Sequence, residues 1–219
     1  DGSNASETFN ILANGGRVLL TRDIANVTMD LNDVERIELS TLGGADNVVI
    51  GDLSGTDLTQ IELDLRGSNG GGDGAIDRVA VNGTQGADNV TIVGDTGGVL
   101  IFGLPAQINL FQTDAGDQLV VNGQGGDDVI NAQGLDAGAV QLTINGGLGN
   151  DLMVGSDGDD LITGGDGNDV ALMGAGDDTF VIDAAGDTIV DASGTDTIES
   201  WISITLGSGQ GSSFSTGDR

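Results

Sequence analysis

The chain has 219 residues, of which 37% are hydrophobic and 3% aromatic, and its net charge is −29 because 35 acidic residues face only six basic ones. This charge excludes nucleic acid as a partner, since phosphate binding needs clustered cations, and the lack of cysteine excludes disulfides and thiolate metal ligands. No apolar run reaches the length of a membrane span, so membrane insertion is not expected. Forty glycines among short runs of Val, Ile and Leu predict an all-β chain with many tight turns.

Residues 1–145 are expected to form irregular solenoid modules of about 40 residues, each a strand, a glycine-rich turn and a second strand. The turns end in acidic residues that have no same-side partner at a nine-residue spacing. We interpret them as turn formers, because aspartate suits tight turns. They are Asp46, Asp88, Asp127 and Asp128.

A strict nine-residue repeat fills residues 146–199, without insertion or deletion. Its six units read GGLGNDLMV, GSDGDDLIT, GGDGNDVAL, MGAGDDTFV, IDAAGDTIV and DASGTDTIE. The eighth position is apolar in every unit, so we expect it to face the core. The sixth position is always aspartate: Asp151, Asp160, Asp169, Asp178, Asp187 and Asp196.

The repeat length predicts how these aspartates are arranged in space. Glycines allow the first six residues to turn, the last three form a short strand, and two units make a coil of about 18 residues. Alternate units then stack, with Asp151, Asp169 and Asp187 on one side and the other three aspartates on the opposite side. Such rows of carboxylates repel one another unless cations neutralise them, and calcium prefers carboxylate and carbonyl oxygens.

The architecture that these patterns predict is a right-handed parallel β-solenoid, in which irregular β-helix coils lead into a nonapeptide β-roll. The irregular coils occupy residues 1–145 and the roll occupies residues 146–199. A terminal strand and a flexible tail rich in glycine and serine follow at residues 200–219, with Trp201 capping the roll.

Residues 145–199 resemble the haemolysin-type calcium-binding repeats of RTX proteins. The segment from Thr179 to Leu206 resembles the linking module of large secreted bacterial RTX adhesin-like proteins. The resemblance implies several Ca²⁺ ions held between stacked loops by the sixth-position aspartates and by backbone carbonyls. The turn glycines carried over with those six aspartates are Gly147, Gly149, Gly158, Gly164, Gly165, Gly167 and Gly176.

The loops of the repeat do not match this pattern equally well. Loops 146–151 and 164–169 match the pattern completely, and loops 155–160 and 173–178 are the next best matches. The loops that end at Asp187 and Asp196 either bind weakly or have kept the fold and lost the metal. They depart from the pattern at Ile182, Asp183, Ala185, Asp191 and Ala192. Four further acidic residues are interpreted as solvated neighbours that add negative potential, namely Asp157, Asp159, Asp166 and Asp177.

Two functions remain open at this point. The first is a calcium-binding structural module within a longer secreted RTX polypeptide, which folds outside a Gram-negative-type bacterium after type I secretion. The second is a self-assembling S-layer, fibre or adhesin segment stabilised by calcium. Enzymatic activity is not expected, because the chain has neither histidine nor cysteine and nothing selects one carboxylate pair over the others.

Overall fold

The computed structural model describes residues 1–68, 70–200, 202 and 215–217. Within these residues every regular element is a strand, apart from a short 3₁₀ helix at Ile24–Asn26, so the all-β class is confirmed. None of the described helices is long and apolar enough to span a bilayer. The strands before the nonapeptide repeat are β1 (Thr8–Asn14), β2 (Arg17–Arg22), β3 (Val27–Leu31), β4 (Arg36–Ser40), β5 (Asn47–Ile50), β6 (Gln60–Asp64), β7 (Arg78–Asn82), β8 (Asn89–Asp95), β9 (Gly98–Phe102), β10 (Gln107–Phe111), β11 (Gln118–Gly125) and β12 (Val129–Leu135).

The remaining strands belong to the repeat or follow it, and most of them have only three or four residues. They are β13 (Gln141–Leu148), β14 (Leu152–Val154), β15 (Leu161–Asp166), β16 (Val170–Leu172), β17 (Thr179–Ile182), β18 (Thr188–Val190), β19 (Thr197–Ser200) and β20 (Ser215–Gly217).

The strands form two sheets that enclose the core. The first sheet has the order β20-β19-β17-β15-β13-β11-β7-β5-β1-β2-β3, and the second has the order β18-β16-β14-β12-β8-β9-β10-β6-β4. From β13 to β19, successive strands alternate between the sheets, and every neighbouring pair is parallel. The chain therefore winds as a solenoid through the nonapeptide region.

The coils shorten towards the repeat. Gln118 pairs with Arg78, 40 residues earlier, and with Gln141, 23 residues later. Within the repeat, Leu161 pairs with Thr179, 18 residues later. The expected coil of two nonapeptides is confirmed.

Two antiparallel meanders, which the sequence interpretation did not include, join the parallel coils upstream. They are β1-β2-β3 and β8-β9-β10. Two-residue turns close their first hairpins at Gly15–Gly16 and at Thr96–Gly97. Such a short turn can join only antiparallel neighbours.

The core consists of inward-facing aliphatic side chains from both sheets, and the eighth position of the repeat supplies it as predicted. Ile189 is half-buried. The other five eighth-position side chains are at most 1% exposed: Met153, Ile162, Ala171, Phe180 and Ile198. The register of the repeat is thereby confirmed.

Most of the predicted terminal segment 200–219, including Trp201 and its expected capping role, lies outside the described residues. The strand described within it, β20, pairs in parallel with β19 and extends the first sheet by one strand.

Candidate metal centre

The turns of the repeat have a backbone conformation that explains their glycines. Gly147 and Gly149, at the second and fourth positions, have φ angles of 115° and 130°, which are unfavourable for a residue with a side chain. The stacking of the loops adds a second restriction. A Cβ on Gly167 would lie 1.6 Å from the carbonyl oxygen of Gly149, and one on Gly165 would lie 2.1 Å from that of Gly147. These carbonyls therefore face the next loop in the stack.

The sixth-position aspartates form two continuous rows, which we call the first and second aspartate rows. In each row the backbone N–H of one aspartate donates to Oδ1 of the next aspartate, over 2.7–3.1 Å. The first row consists of Asp88, Asp128, Asp151, Asp169 and Asp187. The second row consists of Asp160, Asp178 and Asp196.

The interpretation of Asp88 and Asp128 as isolated residues is wrong. Asp128 accepts the N–H of Asp88 and donates its own N–H to Asp151, so both belong to the first row. The nine-residue spacing misses them because their coils are 40 and 23 residues long. A signal was present, since turns 83–88 and 123–128 both have glycine at their first and fourth positions and aspartate at the sixth.

Asp46 is not isolated either. Its N–H donates to Oδ1 of Asp77, over 2.8 Å, and the N–H of Asp77 donates in the same way to Asp117. A third row of stacked carboxylates therefore lies upstream. We call it the upstream acidic row.

Several row aspartates have a buried oxygen with no hydrogen-bond partner. A buried acceptor left without a partner costs roughly 1–3 kcal/mol, and a charged one costs more. A bound cation would remove this cost. In the first and second rows the unpartnered atom is Oδ2 of Asp128, Asp151, Asp169, Asp178 and Asp196.

Asp160 and Asp187 differ, because their own turns satisfy Oδ2. The backbone N–H of Ser156 donates to Oδ2 of Asp160 over 2.5 Å, and that of Ala184 donates to Oδ2 of Asp187 over 3.1 Å. These two carboxylates are thus less open to an ion than the other sixth-position aspartates.

Burial also changes how the carboxyl groups ionise. It raises the pKa of Asp169 to about 6 and that of Asp178 to about 7, and neighbouring carboxylates add to the effect. No arginine, lysine or histidine occurs between Val79 and Asp218. The chain therefore supplies no cation of its own to this part of the molecule.

Three carboxylates converge at the end of each row. Their oxygens lie within 4.8 Å of one another in the groups Asp169, Asp183, Asp187 and Asp178, Asp191, Asp196. Asp183 and Asp191 replace the second and first residues of their loops, where the complete loops have glycine. The sequence interpretation treated both only as departures from the pattern, although each departure brings another carboxylate.

The predicted role of the fifth-position residues as solvated neighbours is incomplete. Oδ1 of Asp159 accepts the N–H of Asp177 over 2.8 Å, and Oδ1 of Asp177 accepts that of Thr195 over 2.9 Å. These side chains hold successive loops together. Asp157 and Asp166 are exposed, in keeping with the solvated role.

The donor set fits a hard divalent cation. Calcium takes six to eight oxygen ligands from carboxylates, carbonyls and water, and the loops offer unpartnered carboxylate oxygens beside carbonyls that face the same gap. Fold and site together define a repeat solenoid with stacked acidic, cation-binding turns. Residues 143–180 match the family described as RTX calcium-binding nonapeptide repeat, in four copies. The resemblance to RTX repeats is confirmed over these residues, and repeats of this family bind Ca²⁺.

RTX repeats are structural calcium-binding units and are typical of secreted proteins. No curated protein and no solved structure matches the chain.

Proposed function

We propose that the chain is a calcium-binding structural module of a secreted RTX protein, and that it folds on calcium binding outside the cell. The observation that carries the proposal is the set of buried carboxylate oxygens without hydrogen-bond partners in a region with no basic residue. Calcium would supply the missing positive charge and complete the coordination of these oxygens. The unfolded chain cannot assemble such sites, so the free energy of binding contributes to folding.

The proposed ligands are the sixth-position aspartates and backbone carbonyls of the stacked turns. The complete loops 146–151 and 164–169 bind an ion between them, with carbonyls of Gly147 and Gly149 facing the gap. Asp183 and Asp191 join the set at the ends of the rows. The other proposed contributors are Asp151, Asp169, Asp178 and Asp196, with the turns at Gly158, Gly164, Gly165, Gly167 and Gly176. Asp160 and Asp187 are proposed as weaker ligands, because their own turns satisfy Oδ2.

The proposed location follows from the calcium requirement. Extracellular calcium modules bind with dissociation constants of about 10⁻⁴–10⁻³ M. Such affinity would leave the roll unfolded in the cytosol, ready for type I export from a Gram-negative-type cell. In this proposal residues 1–145 are a scaffold within a longer polypeptide, residues 146–199 are the calcium-dependent roll, and neither part is catalytic.

A calcium titration of the full chain tests the proposal. We expect binding with an increase in strand signal by circular dichroism. Asp169→Asn should weaken calcium binding at least about tenfold, since one lost charge-assisted contact is worth about 1.4 kcal/mol or more. Asp136→Asn removes the same charge from an exposed turn and should bind like the wild type. A wild-type chain that binds no calcium at millimolar concentrations would contradict the proposal.

Self-assembly is a second candidate, because apolar side chains line the outer face of the roll. On β14, β16 and β18, Val154 pairs with Leu172 and Leu172 pairs with Val190. Leu172 is 37% exposed and Val190 is 53% exposed, and among the described strands β18 lies at the edge of its sheet. An apolar edge strand can pair with another chain. Sedimentation with and without calcium distinguishes the candidates, since only the second predicts large calcium-dependent assemblies.

A further inference from the structure

Turn 123–128, with the sequence GQGGDD, lies outside both the nonapeptide units and the family match at residues 143–180. Its backbone nevertheless repeats that of turn 146–151. The second and fourth residues, Gln124 and Gly126, have φ angles of 79° and 110°, and the equivalent Gly147 and Gly149 have 115° and 130°. A residue with a side chain in this left-handed region costs roughly 1–2 kcal/mol. The turn keeps this conformation in spite of Gln124.

The carboxylate of turn 123–128 also repeats that of turn 146–151. Oδ1 of Asp128 accepts a backbone N–H over 2.7 Å, and Oδ1 of Asp151 accepts one over 2.8 Å. The two residues are 1% and 2% exposed. In both of them Oδ2 is buried and has no hydrogen-bond partner.

The oxygens around the first glycine of each turn have the same arrangement. A Cβ on Gly123 would lie 2.3 Å from Oδ2 of Asp128 and 2.4 Å from the carbonyl oxygen of Gly146. A Cβ on Gly146 would lie 2.3 Å from Oδ2 of Asp151 and 2.6 Å from the carbonyl oxygen of Gly164. In each turn a carboxylate oxygen and a carbonyl oxygen of the next loop therefore lie close to the same position, where the Cβ of a residue replacing the first glycine would be.

The preceding turn in the stack, 83–88, has a similar arrangement around Gly83, where a Cβ would lie 2.6 Å from Oδ2 of Asp88 and 2.8 Å from the carbonyl oxygen of Gly123. It differs in its hydrogen bonds and φ angles. The backbone N–H of Thr84 donates to Oδ2 of Asp88 over 2.6 Å, and the Thr84 hydroxyl donates to Oδ1 over 3.2 Å. Neither Thr84 nor Gly86 has a positive φ. The carboxylate of Asp88 is satisfied by its own turn.

We propose that the column of calcium sites continues upstream of the repeat, to one further Ca²⁺ site at Asp128, and that it ends before turn 83–88. This inference rests on the proposed calcium-binding function. The ligands on this chain are Oδ2 of Asp128 and backbone carbonyls of turns 123–128 and 146–151. Gly123 is required at the start of the turn, because a side chain there would collide with the carboxylate and with Gly146.

Calcium stoichiometry of the full chain tests the site, measured by isothermal titration calorimetry on wild type, Asp128→Asn and Asp88→Asn. We expect Asp128→Asn to bind one ion fewer per chain and Asp88→Asn to bind as many as wild type. Wild-type stoichiometry and affinity in Asp128→Asn would overturn the inference. If Asp169→Asn loses calcium while Asp128→Asn does not, this site alone is wrong. If the wild type binds no calcium, the proposed function itself fails.

Hydrogen exchange on the wild-type chain tests the site without a substitution, in case Asp128→Asn does not fold. Calcium should slow exchange at the amides of turn 123–128 by at least about tenfold, and the same is expected in turn 146–151. Turn 83–88 should change little. Equal exchange in turn 123–128 with and without calcium would overturn the inference.

Discussion

Residues 1–145 and 146–199 share one solenoid but differ in the basic residues available to their carboxylates. The first region has 21 acidic residues and five arginines, and the second has 13 acidic residues and no basic one. Ion pairs join Arg17 to Asp30, Arg22 to Glu7 and Arg36 to Glu62. Row aspartates with a buried oxygen that has no hydrogen-bond partner are more frequent in the second region: Asp151, Asp169, Asp178 and Asp196, against Asp46 and Asp128 in the first. The same stacked architecture thus has internal cations at one end, and at the other end we expect bound calcium to take their place.

The pair of Arg22 and Glu7 shows how the first region neutralises buried charge. The Glu7 side chain has no exposed surface, and Nε of Arg22 donates to its Oε2 over 2.9 Å. Burial acts to raise the pKa of Glu7, but hydrogen bonds from Arg22 and Ser3 outweigh it, and the pKa is lowered. In the second region burial raises the pKa of Asp178 to about 7, and no basic residue opposes it.

The two regions also differ in the length of their strands. β11 and β13 have eight residues each, whereas β14, β16 and β18 have three. Fixing each residue costs roughly 1–2 kcal/mol of chain entropy, and short strands offset less of this cost. We therefore expect the roll to depend more on bound ions than the scaffold does.

Removal of calcium should have the largest effect, and the roll should lose structure while most of the scaffold keeps it. We expect amides of residues 146–199 to lose protection from hydrogen exchange in chelator, while β7 and the part of β11 before turn 123–128 stay protected. Peptide-resolved hydrogen exchange measures both regions in one sample. Equal protection of the roll with and without chelator would remove the distinction between the two regions.

The pH dependence of the metal-free protein should be the next largest effect. Burial raises the pKa of Asp160 and Asp169 to about 6 and that of Asp178 to about 7, whereas aspartates of the unfolded chain ionise near pH 4. Between these values the folded state holds protons that the unfolded state has lost. Stability without metal should therefore rise as the pH falls from about 7 to about 4.5.

Saturating calcium should reverse this trend, because protons then compete with the ion for the same oxygens. Circular dichroism melts of metal-free and calcium-loaded protein at several pH values measure both trends. A metal-free chain that loses stability as the pH falls from about 7 to about 4.5 would contradict the raised pKa values of the buried carboxyl groups.

Phe180→Ala tests whether the roll, once loaded with calcium, has a true core. Phe180 has no exposed surface, and truncation of a buried phenylalanine costs about 3–5 kcal/mol. Phe102 is 40% exposed, so Phe102→Ala is the control and should cost less than about 1 kcal/mol. Denaturant unfolding in saturating calcium measures both. Similar costs for the two variants would show that the register is wrong.

Arg22→Gln should have the smallest of these effects and should be confined to the scaffold. It leaves the buried Glu7 carboxylate without its cation, so it should lower the unfolding midpoint of residues 1–145 and leave calcium binding unchanged. Arg17→Gln breaks an exposed pair with Asp30 and should change the midpoint much less. If Arg22→Gln weakened calcium binding, the arginine ion pairs of the scaffold and the proposed calcium sites of the roll would not be independent of each other.

The sequence by itself determined the local features of the roll. A repeat of fixed length places Ile162 and Phe180 at equivalent positions, and their complete burial confirms the register. The same count places Asp151 above Asp169 and Asp160 above Asp178. These features depend only on spacing along the chain, because each coil is two units long.

Only the tertiary structure decided which turns contribute to the same aspartate row and which carboxylate oxygens have no hydrogen-bond partner. Asp128 joins Asp151 because a coil of 23 residues happens to stack in register with coils of 18. Asp183 approaches Asp169 across neighbouring coils. These outcomes depend on which backbone N–H groups and carboxylates of separate coils come within hydrogen-bond distance. Spacing within one unit does not encode that distance.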